Sequence, residues 1–225
     1  MNLGDLAWPE LGERRLLAVP LGAVEQHGPH LPYTVDTEIA VELCRRVARA
    51  RPDVVAAPPL PFGSSGEHAG FPGTLSIGQE ATELVVLELV RSADLFAGVL
   101  LVSAHGGNAA PVHRAVRRLQ YEGRNVRVWS PDGPPGDTHA GRLETSVMLA
   151  LRPESVRTRE IRAGNTEPLP ALIDRLRTDG VRGVSPSGVL GDPRGATAEE
   201  GHAALRRWTE ALLETVATLV RGGIM

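Results

Sequence analysis

Short apolar runs rich in β-branched residues alternate with amphipathic stretches along most of the chain. Leu16 to Val24, Val54 to Phe62, Val99 to Ala104 and Val126 to Ser130 have the length and composition of buried strands. Helical spacing follows each in turn. Thr37 to Ala50 puts Ile39, Leu43 and Val47 on one face, and Gln79 to Ala97 and Pro111 to Tyr121 behave alike, the latter stopping at Gly123. Near the end, Thr197-Ala-Glu-Glu200 matches a capping box, and Leu205, Trp208, Leu212, Val216 and Leu219 continue at helical spacing. Strand alternating with helix predicts an α/β fold: a mostly parallel sheet with helices on both faces. Arg152 to Ala196 is the least regular stretch, where an edge hairpin, a lid or an oligomer contact is expected.

A chain of 225 residues, 42% of them hydrophobic, fits one domain over residues 1–225 with a sizeable core. The 24 basic residues are all Arg, and the formal charge is -3 with no block of one sign. No nucleic-acid or membrane partner is expected from that balance. The single Cys44, the acidic residues among the first 15 and the want of a long apolar run place the protein in the cytoplasm as a soluble chain.

In open α/β sheets ligands bind at the carboxyl ends of the strands. The ligand-type residues fall there: Glu25-Gln-His27, Ser64-Ser-Gly-Glu-His68, His105-Gly-Gly-Asn108 and the loop to His139. Glu25 and His27 share one side of an extended chain, and a carboxylate with an imidazole suits Zn2+, Fe2+ or Mn2+. Asp36 reads equally as an N-cap or as a carboxylate able to bridge two cations. His105 ends the most apolar strand, next to glycines that permit close backbone approach. Glu144 suits the first turn of a helix and also a fifth ligand position. Ser65, Glu67 and His68 are candidates for contacting substrate, and His30 for a supporting place. Cys44, mid-helix on an apolar side, reads as core.

From Pro20-Leu-Gly-Ala-Val-Glu-Gln-His-Gly-Pro-His-Leu-Pro32 through Asp36, Phe71-Pro-Gly-Thr74, Ala104-His-Gly-Gly-Asn108 and His139-Ala-Gly-x-x-Glu-Thr145, the sequence resembles the creatininase family of amidohydrolases. The resemblance implies a three-layer α/β/α fold, two divalent ions (Zn2+ or Fe2+, with Mn2+ also in range) and a closed homo-oligomer, a hexamer or octamer. It implies Glu25, Asp36 and His105 around one metal, His27, Asp36 and Glu144 around the other, and His139 as the proton-transfer residue.

Two departures stand out. Where creatininases carry a metal-binding Glu two residues after the strand-end His, this chain has Gly107, and Glu144 is expected instead. Where they carry an aromatic clamp, it reads Pro134-Pro-Gly-Asp-Thr138. Creatinine is therefore a poor expected substrate. The form of the first motif is most similar to a peptidase branch of the family that cuts a modified precursor peptide near its C-terminus, releasing a cross-linked Val-Tyr unit. A hydrolase of small cyclic amides or formamides, and a non-catalytic scaffold that has kept the fold, are the competing readings.

Overall fold

The computed structural model describes residues 1–12 and 15–222, the side chains of 221 and 222 excepted. Four strands, β1 (Leu16–Leu21), β2 (Val54–Ala56), β3 (Gly98–Ser103) and β4 (Val126–Trp129), form one parallel sheet in the order β2-β1-β3-β4. Because side chains alternate across a sheet, each strand feeds two cores. Leu16, Ala18, Leu100 and Val102 pack on one face against α1 (Val35–Ala50), α4 (Arg142–Leu151) and α6 (Ala198–Gly222). Leu17, Val19, Val99 and Leu101 pack on the other against α2 (Gly78–Arg91) and α3 (Ala109–Tyr121). The three-layer α/β/α architecture is as expected.

Pro20 sits in an interior strand, a place that normally needs its N–H. Its carbonyl accepts from Leu60 N–H on the β2 side, where β2 has already ended, so the missing donor has no ladder partner to lose. The expected second strand is cut short for a related reason: Pro58, Pro59 and Pro61 remove the donors that would extend it past Ala56. The second helix ends at Arg91 and not at Ala97; Ser92 Oγ donates back to the Leu89 carbonyl at 2.7 Å, and turns follow.

The irregular stretch holds no strand among its described residues, which corrects the hairpin expectation, and it contains α5 (Leu169–Val184). That helix is broken at Gly180 (φ 67°), which splits the apolar spacing of Leu172, Leu176, Val181 and Val184 and hides it from a periodicity reading. The capping box before α6 is half formed. Thr197 Oγ1 accepts from Glu200 N–H at 3.2 Å, but Glu200 itself pairs with Arg142, and Ser146 Oγ accepts the Thr197 N–H.

The backbones of α4 and α6 nearly touch: a Cβ built on Gly201 would lie 2.0 Å from the Ser146 carbonyl oxygen. Gly201→Ala must therefore push α6 off α4, costing about 1–3 kcal/mol. Urea unfolding should show a lower midpoint at unchanged slope; an unchanged midpoint would refute this close contact.

Candidate metal centre

All four strand ends deliver side chains to one buried spot. Glu25 and His27 follow β1, His68 follows β2, His105 follows β3 and His139 follows β4. Asp36 does not precede its helix. It lies in the first turn of α1. Glu144 occupies the first turn of α4. Ala140, left-handed at φ 52°, turns the chain between His139 and that helix, so both His139 and Glu144 come within reach of His27.

The orientation of the imidazoles defines the chemistry. His27 Nδ1 donates to the Glu25 carbonyl at 3.1 Å, which aims Nε2 at Asp36 Oδ1 (3.3 Å) and Glu144 Oε2 (3.9 Å). His105 Nε2 donates to the Ser64 carbonyl at 2.8 Å, which aims Nδ1 at Glu25 Oε1 (3.2 Å) and Asp36 Oδ2 (3.5 Å). His139 Nε2 donates to the Gln26 carbonyl at 2.8 Å, with Nδ1 3.6 Å from Glu25 Oε1. In each ring a backbone carbonyl takes the outer N–H, and the inner nitrogen meets carboxylate oxygens. Two acceptors facing each other need a cation between them, either a proton or a metal, and this outer hydrogen bond is the usual partner of a metal-bound histidine. Both Glu25 oxygens and Asp36 Oδ2 are buried without a hydrogen bond. Ligand atoms of His27, Asp36 and Glu144 lie within 4.8 Å of one another, as do those of Glu25, His27 and His139. This donor set fits divalent transition ions.

The protonation states agree. Burial alone would depress His27, but the Asp36 and Glu144 carboxylates hold it up at about 9; burial likewise opposes His105, and Glu25 and Asp36 hold that ring at about 10. Glu25 stays well below the usual carboxylate range despite burial, because His105, His139 and His68 surround it. Burial raises Glu144 to about 7, and burial with neighbouring imidazoles drives His139 well below its ordinary value.

Of the residues expected to meet substrate, Ser65 is buried with Oγ 3.2 Å from His105 Nε2, and His68 is buried with Nε2 3.4 Å from Glu25. The Glu67 side chain is 32% exposed and stands 3.8 Å from the outer nitrogen of His105. A Cβ on Gly107 would fall 2.3 Å from the Glu67 carboxylate, so Glu67 occupies the room that the glycine leaves. His30 is fully buried and bonded to Thr145 Oγ1 at 2.9 Å. Gln26 and Asn108 went unassigned in the sequence. Asn108 accepts from Ser64 N–H and donates to the Gly22 carbonyl, tying the loops after β1, β2 and β3 together.

A cavity of about 480 Å³ opens onto His105 and Glu144, with Pro134, Pro135, Leu143 and Trp208 in its walls. Trp208 is the aromatic in that lining, its Nε1 donating to Asp132. No helix among the described residues is long and apolar enough to cross a membrane.

The family model of creatinine amidohydrolase matches residues 4–216. The chain belongs to the creatininase family. It is 48% identical over 193 residues to the mycofactocin precursor peptide peptidase of Mycolicibacterium smegmatis, covering 83% of this chain and 78% of that one. The crystal structure of a creatinine amidohydrolase superposes with a TM-score of 0.79 at 26% identity over 96% of both chains. A mutant creatininase of the Zn–Zn type does so at 0.77 and 26%, again over 96% of both.

A pH dependence follows for this creatininase-family chain. The raised values of His27 and His105 add stability to the metal-free protein that is fully present below about pH 6.5 and lost as pH rises through 9 to 10. A divalent ion must displace those inner protons, so it binds more tightly over the same interval. The difference in melting temperature between zinc-loaded and chelator-treated protein should therefore widen from pH 6.5 to 9.5. A constant difference would count against the paired imidazoles.

Proposed function

We propose that this chain is a dinuclear metallopeptidase that hydrolyses an amide bond near the C-terminus of the modified mycofactocin precursor peptide, releasing its cross-linked Val-Tyr unit. The observation that carries the metal-dependent part is the pair of imidazoles, His27 and His105, whose inner nitrogens face buried, otherwise unbonded carboxylates. The peptide comes from the 48% identity to the mycobacterial peptidase, and the cavity walled by Pro134, Pro135, Leu143 and Trp208 has the volume and apolar character for peptide side chains.

In this reading Glu25, Asp36 and His105 would hold one ion and His27, Asp36 and Glu144 the other. Zn2+, Fe2+ and Mn2+ all suit these ligands. Bound there, the ions would supply Lewis acidity and lower the pKa of water toward neutrality. His139 is neutral at pH 7, so it begins as a proton acceptor and returns that proton to the departing nitrogen. Ser65 steadies His105 from behind, while Glu67, partly exposed, meets the substrate. The reading includes a cytoplasmic homo-oligomer; Phe62, Ile77, Leu84 and Val85, exposed around the start of α2, support an interface there.

Zinc-loaded protein incubated with the modified precursor should yield a dipeptide-derived product by mass spectrometry. Asp36→Asn should cut that rate by more than about 100-fold, beyond the loss of a mere outer-sphere partner. Intact peptide together with turnover of creatinine or another cyclic amide would overturn the peptidase reading in favour of a small-amide hydrolase.

A further inference from the structure

Four histidines, His27, His68, His105 and His139, cluster around Glu25, but they are not wired alike. For His27, His105 and His139 the outer nitrogen meets a backbone carbonyl, so it carries the proton. The outer nitrogen of His68 meets the side-chain amide of Gln26, with Nδ1 2.9 Å from Gln26 Nε2. The orientation of that amide is fixed at both ends: Gln26 Oε1 accepts the Gly28 N–H at 2.8 Å, and Nε2 donates to the Gly188 carbonyl at 3.1 Å. His139 Nε2, 3.1 Å from the same amide nitrogen, already donates to the Gln26 carbonyl and has no lone pair to offer. The second amide proton can go only to His68 Nδ1. In a neutral ring that leaves the proton on Nε2, the nitrogen facing Glu25 Oε1 at 3.4 Å.

We propose that Gln26 is a positioning residue that fixes the tautomer of His68, so that His68 presents an N–H to Glu25 and is kept out of the metal-ligand set. His68 would then hold one oxygen of Glu25 by a charge-assisted contact and leave the remaining lone pairs for the ion. Gln26 is itself 6% exposed and packs so tightly that a Cβ on Gly188 would come within 1.9 Å of its Oε1, so the amide has no room to rotate. One buried amide thus sets His68 apart from the three rings whose outer N–H goes to a backbone carbonyl.

The inference rests on the metal-centre reading, and one experiment separates the two. Magic-angle-spinning 15N spectra of histidine-labelled protein at pH 8, with and without zinc, report which nitrogen of each ring is protonated; loss of one signal in His68→Gln assigns His68. The wild type should show His68 protonated at Nε2 in both states. Gln26→Glu, whose carboxylate can only accept, should move that proton to Nδ1. Gln26→Met, which offers no donor, should weaken zinc binding by about 10- to 100-fold in a competition titration while its urea midpoint stays near wild type. His68 protonated at Nδ1 in the wild type, or unmoved in Gln26→Glu, would overturn the proposal. Zinc that leaves the His27 and His105 signals unshifted would instead overturn the metal centre, with the His68 signal still read from the same spectra.

Discussion

Three carboxylates, Glu25, Asp36 and Glu144, converge at the carboxyl end of a parallel sheet, two of them with almost no solvent access. Buried negative charge at this density is costly unless positive charge is brought to it. The imidazoles of His27 and His105 supply that charge, and they do so because each is turned by a backbone carbonyl, from Glu25 or Ser64, that claims its outer proton. Those carbonyls belong to the loops leaving β1 and β2, so the geometry of strand ends sets which nitrogen points inward.

The surrounding structure keeps those loops in place. Asn108 joins Ser64 to Gly22, and Gly107 leaves the room that Glu67 fills beside His105. On the far side, α4 delivers Glu144 from a helix start made possible by the left-handed turn at Ala140. The Glu144 carboxylate also accepts the Ala140 N–H at 2.6 Å. One group thus stabilises the turn and faces His27. Both contacts are made by Glu144 Oε2, so the oxygen that holds the turn is also the one that faces His27.

The cavity follows from the same layering. Its walls come from the end of β3, from the loop after β4, from the starts of α4 and α5, and from Trp208 of α6. Chemistry is held by the strand ends and shape by the later helices, so related chains can keep one and alter the other.

The residue pattern by itself determined the strand–helix order, the two faces of the sheet and the strand ends at which Glu25, His27, His105 and His139 stand. Periodicity and strand-end position are local properties, and they survive without knowledge of contacts. Only the tertiary structure decided that Asp36 lies inside α1, that α5 occupies the irregular stretch despite its break at Gly180, and that Trp208 lines the cavity. The different wiring of His68 was equally invisible, because it depends on Gln26 reaching across 42 residues to a ring that looks, in the chain, like any other histidine. Which side of an imidazole holds its proton is set by neighbours distant in sequence, and only folding brings them together.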